Sequence, residues 1–431
     1  MLLFFGLILT PAALGAQVSD DPGTSLEGLP VRTITVHGLR TMEEDVVRRR
    51  MDLHVEGRWL METARRDERA ITGLMIFWSV RIEAIGFPQD VPPVAVDVHL
   101  HLDEHIGWFL VPQLYWTPEE SWSYGLAAGH FNLARRGHWL YLSAVTGGAR
   151  FISASVSNSW NGRHHESFSM GGSAVSINNR LLDFDEGGER FHYRFGRWFG
   201  RGVRAEAAFE YRLVEGLMPS WTDITVAGTP FQNRMMLSRI TLGIDTSDPW
   251  AFPRVGRRAS ITIEQSVEAL GGTLTGGRAR GVVSNSIMLD EQFVIAGYGL
   301  IESQWGDIPF WRLLSLGGMN SVRGYDLGTW LVNRRWEASG EFRWYIIPMR
   351  VIDTGFLGDQ IVGISLALFA DAGAGSGIRR GAGVPMGLTP TLRSIGAGIY
   401  LHNALLGTLR MEVAWPDGAR RHWGFGLGLK F

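Results

Sequence analysis

The chain has 431 residues, 41 basic against 43 acidic, with 45% hydrophobic and 19% charged. That balance excludes the basic excess of a nucleic-acid binder and the composition of a disordered chain. The absence of cysteine excludes disulfides, thiolate metal sites and a thiol nucleophile.

Met1 to Ala16 is apolar and ends in the small residues Ala12, Ala13, Gly15 and Ala16. This reads as a secretory signal peptide over 1–16, although no basic residue precedes the apolar run. It falls short of the ~20 apolar residues of a spanning helix, and no later uncharged run reaches that length. Residues 17–30, with Pro22, Gly23 and Pro30, read as a short linker.

Residues 31–105 form a compact unit. Val31 to Val36 alternates and is β-branched, closing at His37 and Gly38. Thr41, followed by Glu43, Glu44 and Asp45, marks the start of a helix running to about Leu53. A second helix is expected from about Met61 to Phe77, with Ala64, Ile71, Leu74 and Met75 on its apolar face. Two strands follow, Trp78 to Ile85 and Val94 to Leu102. The order is strand, helix, helix, strand, strand. His99, His101 and His105 lie close in sequence, but metal binding needs converging ligands, and a solvated strand face is the plainer reading.

Residues 106–431 show almost no helical period. Segments of about ten residues alternate instead, separated by Gly, Asn, Asp and Pro clusters. Eleven fall at about 107–116, 122–132, 138–148, 149–160, 166–178, 190–199, 203–214, 232–246, 256–269, 279–290 and 291–303. Five more follow an irregular stretch, at about 335–346, 361–371, 394–402, 405–415 and 421–431. Phe342, Trp344 and Ile346 share one face, opposite Glu341, Arg343 and Tyr345. Leu409, Met411, Val413 and Trp415 oppose Arg410 and Glu412 in the same way. In a soluble barrel the apolar face would be the interior, and in an outer-membrane barrel it would face lipid. The many arginines and glutamates, the Trp and Tyr near strand ends and the alternating last strand ending on Phe431 favour the membrane version. The expectation is a mostly β chain: a 16-stranded antiparallel transmembrane β-barrel over 106–431, preceded by one small α+β domain. The acidic loop at Asp183, Asp185 and Glu186 reads as solvated rather than as a calcium site. No Gly-x-Ser-x-Gly elbow occurs, and the sole lysine is Lys430, so no Lys-bearing phosphate loop exists. No enzymatic chemistry and no cofactor are expected.

Leu316 to Tyr325, with its core Val322-Arg323-Gly324-Tyr325, resembles the signature loop of the BamA/TamA-type outer-membrane assembly superfamily. Ser339 to Arg343, around Glu341, resembles the carboxylate-bearing strand after that loop. Phe369 to Gly373, around Asp371, resembles the family's Phe-x-Asp motif. Asp245 to Gly256 resembles the turn before the ninth strand. The 31–105 unit resembles a POTRA domain, and Glu104 falls where such domains often close on a glutamate. The resemblance spans residues 31 to 431. It implies outer-membrane insertion or translocation of unfolded polypeptides, with the POTRA domain in the periplasm taking clients at a sheet edge. Accessory periplasmic or lipoprotein subunits are possible partners, as are the membrane lipids themselves. A two-partner-secretion transporter is an alternative within the superfamily. A passive pore or surface antigen without assembly activity is the alternative outside it.

Strand parity turns Asp371 and Glu341 inward. An arginine on a loop folded into the lumen can grip both, with a planar fork that lysine lacks. Arg323 is therefore expected to pair with Asp371 first and Glu341 second. Gly324 permits a hairpin tip, and Tyr325 can pack the loop to the wall. Pro112 in the first strand lacks an N–H, and Gly424, Gly426 and Gly428 weaken the last. With Phe431 they mark the place where first and last strands meet. Either this seam opens sideways, or its small residues make room for a plug.

Overall fold

The computed structural model describes residues 17–20, 26–72, 74, 76–88, 92–104, 107–117, 121–161, 166–179, 184–200, 202–219, 227–247, 253–353, 359–379, 387–403, 407–418, 420–427 and 430. The expected signal peptide lies outside them.

The N-terminal unit is a four-stranded sheet with two helices. Its strands are β1 (Gln17–Asp20), β2 (Val31–His37), β3 (Phe77–Phe87) and β4 (Ala95–Glu104), in the spatial order β1-β3-β4-β2. β3 and β4 are antiparallel, while β1 runs parallel to β3 and β2 parallel to β4. Residues 17–20, read from sequence as linker, thus form an edge strand along Arg81 to Ala84. The helices are α1 (Glu44–Arg48) and α2 (Met61–Thr72). Val46, Val47, Ala64, Ile71 and Leu74 pack on Ile82, Val96, Val98 and Leu100, with Trp59 fully buried among them.

Both helices are shorter than the sequence pattern predicts. Past Arg48 the chain tightens into i→i+3 bonds, Arg50 N–H to Val47 and Met51 N–H to Arg48. The Asp67 carboxylate then takes the N–H groups of Asp52 and Leu53, each at 2.8 Å, leaving no helical role for them. The second helix stops at Thr72, before Gly73, and Phe77 already pairs with Glu104 in the sheet.

Two buried carboxylates hold this unit with opposite electrostatics. Burial pushes the Asp67 carboxyl up to about 6, against the pull of its two backbone donors. Burial also acts on Glu104, but here the donors win and hold it below the ordinary carboxylate range. Its oxygens take the N–H of Arg40 at 2.7 Å, of Thr41 at 2.9 Å and of Met42 at 3.1 Å. The end of β4 is thereby tied to the segment that starts α1.

The rest of the chain is one large antiparallel sheet. Its strands begin with β5 (Trp108–Thr117), β6 (Ser121–Leu133), β7 (His138–Gly147), β8 (Ala149–Asn161), β9 (Glu166–Asn179), β10 (Phe184–Phe199) and β11 (Val203–Leu217). They continue with β12 (Pro230–Asp245), β13 (Gly256–Ser266), β14 (Gly276–Met288), β15 (Phe293–Gly306), the short β16 (Leu314–Leu316) and β17 (Trp330–Asp353). Last come β18 (Asp359–Arg379), the two-residue β19 (Gly387–Leu388), β20 (Leu392–Asn403), β21 (Gly407–Pro416) and β22 (His422–Leu427). The strand order returns from β22 to β5, so the sheet closes into a barrel. Among the described residues sixteen of these strands are long, and each overlaps one expected segment. β17, at 24 residues, overruns expectation because its extra residues near Asn333, Ile346 and Pro348 interrupt the alternation that marks a strand, and β18, at 21 residues, runs on through the small residues Gly373 to Gly377, which carry no apolar alternation.

Burial decides between the two barrel readings. Trp336, Phe342, Trp344, Ile346, Leu368, Met411, Trp415, Trp423 and Phe425 are exposed, whereas Glu337, Glu341, Arg343, Asp371, Arg410 and Glu412 are buried. Apolar outside and charged inside inverts a soluble barrel and matches one that spans a membrane.

The two units share one core. Phe131 from β6 is buried in the N-terminal cluster, with Phe109 and Trp139 packed against it. The β6–β7 turn reaches back: Arg135 Nε donates to the Thr41 carbonyl at 2.7 Å, and the Glu43 N–H donates to the Arg135 carbonyl at 3.0 Å.

The Asp67 shift yields a pH prediction. A carboxyl raised to about 6 in the fold binds its proton more tightly there than in the unfolded chain. Its stabilising contribution is complete below about pH 4 and is lost as pH rises through about 6, on the order of 2–3 kcal/mol in all. Hydrogen exchange of α2 in the full chain should show wild type losing stability over that window relative to Asp67→Asn. An unchanged difference between the two proteins from pH 4 to 7 would disprove it.

Candidate functional site

The segment between β15 and β17 folds back into the barrel. Gly317, Gly318 and Gly324 turn it with φ of +101°, +112° and +88°. A side chain at Gly324 would be strained and would also press on Ala414 and Pro416, so this tip requires glycine. Val322 is fully buried against Leu314, Leu316, Val332 and Leu392. Gly373 makes room for it, since a Cβ there would lie 2.9 Å from Val322.

Arg323 is the centre of the site and is 1% exposed. Its Nε donates to Asp371 Oδ2 at 2.7 Å and its Nη2 to Asp371 Oδ1 at 2.9 Å, a bidentate pair. The backbone N–H of Arg323 also reaches Asp371, at 3.1 Å. Nη1 donates to Glu341 at 3.1 Å, Glu412 at 3.0 Å and the Tyr400 hydroxyl at 3.2 Å. Nη2 reaches Ser339 at 3.2 Å, and the guanidinium lies 3.5 Å from the Phe369 ring centre. Tyr325 completes the attachment by donating its hydroxyl to the Arg393 carbonyl at 3.0 Å.

Three carboxylates around one guanidinium would repel one another. Further cations offset them: Arg343 lies 2.6 Å from Glu341, Lys430 3.1 Å from Asp371 and Arg410 3.4 Å from Glu412. The expected partners Asp371, Glu341, Phe369 and Gly373 all meet the loop. Glu412, Tyr400, Ser339 and Lys430 were not foreseen. Parity already placed Glu412 on the inner face, but only the folded loop determines which inner charges share one arginine.

The expected seam residues are only partly described. Pro112 lies in β5, Gly424 and Gly426 in β22, and Gly428 and Phe431 lie outside the described residues. The side on which Pro112 lacks its donor can be derived. The Gly107 carbonyl accepts the Phe131 N–H at 3.0 Å, and the β5–β6 register is unbroken from Trp108 to Thr117. Odd residues of β5 therefore bond to β6, and even residues, Pro112 among them, face β22. On the inner side Met319 covers the last strand, since a Cβ at Gly424 or Gly426 would lie 3.1 or 2.9 Å from it. Asn320 beside it accepts from Arg410 at 3.0 Å.

Other candidate groups are ordinary. His37, His99 and His101 stack face to face with centroids 5.0–6.3 Å apart, and His37 Nε2 lies 3.3 Å from His99 Nδ1. His105 and Asp183 lie outside the described residues, and no metal-holding cluster occurs among those described. Asp185 accepts from Asn178 at 2.8 Å and Glu186 pairs with Arg212 at 3.2 Å. In the turn before β13, Asp245 pairs with Arg258 at 2.8 Å, and the Pro253 carbonyl accepts from Arg343 at 3.3 Å.

Residues 178–431, more than half the chain, match the family model described as the Omp85 superfamily domain. No curated protein matches the sequence. Among solved structures, BamA from Haemophilus ducreyi lacking POTRA domains 1–3 is similar, at 14% identity and TM-score 0.63 over 93% of this chain and 83% of that one. CdiB from Escherichia coli is similar at 12% identity and TM-score 0.61, over 94% and 77%. CdiB from Acinetobacter baumannii is similar at 12% identity and TM-score 0.53, over 93% and 74%. At these identities the structures testify to the fold, and the family match testifies to membership: the chain belongs to the Omp85 superfamily.

Proposed function

We propose that this chain is an outer-membrane factor that inserts or translocates unfolded polypeptides, with its N-terminal unit acting in the periplasm as a single POTRA domain. The observation that carries the reading is the position of the arginine-held loop. It occupies the lumen, which a passive pore would leave open, and its Met319 lies on the strand that meets β5. At that junction the Pro112 nitrogen has no hydrogen to offer β22, so the ladder lacks a bond where a sideways opening needs it to be weak. Extended clients add to the edge of the N-terminal sheet, where main-chain bonds give affinity without sequence specificity. Accessory periplasmic subunits fit the same surface. BamA and CdiB share the fold, and CdiB supports translocation as the second reading.

Reconstitution in liposomes tests the role of the loop. Arg323→Ala should slow insertion of an unfolded barrel client at least tenfold while the protein still shows heat-dependent electrophoretic migration. Removing one partner of a buried cluster costs roughly 3–5 kcal/mol, so a lower melting temperature accompanies the loss. Arg323→Lys should not rescue insertion, because an ammonium cannot span both Asp371 oxygens. A large steady conductance in wild type, with no effect on client insertion, would make the chain a pore.

The seam has its own test. Pro112→Val supplies the missing donor and should raise thermal stability by about 1 kcal/mol while slowing client insertion. Unchanged insertion with raised stability would exclude the seam as the route.

A further inference from the structure

The lumen loop is fastened at a second place, across the barrel from Arg323. After Pro309 the chain makes one tight turn, Phe310 to Arg312. Trp311 is buried with Phe184 of β10, Val214 of β11, and Met235 and Leu237 of β12. Phe310 meets the Phe184 and Phe231 rings edge to face, at 5.0 and 5.4 Å, and the Arg212 guanidinium lies 4.9 Å from the Trp311 ring centre. Arg312 pairs with Glu264 of β13, and its carbonyl accepts from Gln304 at 2.9 Å. Leu331 of β17 and Ile378 of β18 join the same apolar cluster. The cluster therefore bridges the lumen from β10–β12 to β17–β18 through Trp311.

The two anchors differ in what their release leaves behind. Glu264 is shared with Arg239, which stays paired with it when Arg312 departs. No carboxylate is stranded, so this limb comes away at small electrostatic cost. Withdrawal of Arg323 would expose Asp371, Glu341 and Glu412 to one another at once. We propose that Phe310, Trp311 and Arg312 form a releasable latch that seals the lumen, and that it opens to ions while Arg323 stays in place. This goes beyond the assembly role and does not depend on it.

Planar-bilayer recording of the full chain tests the latch. Arg312→Ala, alone and with Trp311→Ala, should raise the open probability at least tenfold, while client insertion in liposomes stays at the wild-type rate. Because the chain has no cysteine, Arg312→Cys with Glu264→Cys provides the only thiol pair. Joined by a short reducible cross-linker, that variant should be silent, and it should conduct once reduced. Heat-dependent migration of each variant establishes that it is folded. A folded Arg312→Ala protein as silent as wild type, or equal conductance before and after reduction, would overturn the latch. Loss of client insertion in Arg312→Ala would also overturn it, by showing that the limb cannot move independently of Arg323. Failure of wild type to insert clients would count against the assembly reading alone.

Discussion

The whole molecule is governed by the need to pair every backbone amide in a medium that offers no water. A sheet meets that need only by closing, and closure turns half of every strand inward. The outward half takes the apolar residues, and the inward half is left with arginine, glutamate and aspartate. A lumen so charged cannot collapse on itself as a soluble core does. It is filled instead by a loop that brings its own cation.

That filling is a problem of charge as much as of shape. Asp371, Glu341 and Glu412 converge from three strands, β18, β17 and β21, and among the described residues Arg323 alone bonds to all three. Arg343, Lys430 and Arg410 then neutralise what Arg323 leaves over. The planar guanidinium suits this role because its five donors leave in fixed directions. Phe369 closes one face of the group, and Val322 and Tyr325 hold the chain on either side. The seam lies beside this cluster, and Met319 links the two.

Period-two alternation made the barrel legible, because each strand has one wet and one apolar face. The same parity exposed Asp371 and Glu341 as inward, so their meeting with Arg323 could be reasoned out. Glu412 and Tyr400 remained hidden, since their contact depends on strands brought together by the closed ring. Phe310 to Arg312 left no signal at all, because they lie in an irregular stretch with no period to read. In the N-terminal unit the order of elements was clear, but a single buried side chain, Asp67, cut α1 short by taking the amides a longer helix would have used. Bulges hid the true length of β17 for a related reason, since an extra residue reverses the parity on which the reading rests, and the Gly and Ala run that ends β18 carries no parity at all.

The core shared by the N-terminal unit and the β6–β7 turn bears on how the chain is made. Phe131 and the Arg135 carbonyl belong to strands and turns that acquire their place only when the barrel sheet has formed around them. The N-terminal unit is synthesised first but cannot finish its packing first. Its last apolar contacts wait for β6 and β7, so its completion marks the folding of the barrel's first hairpins. Most of the unit's core is its own, but the last part of its packing is supplied by residues that lie later in the chain.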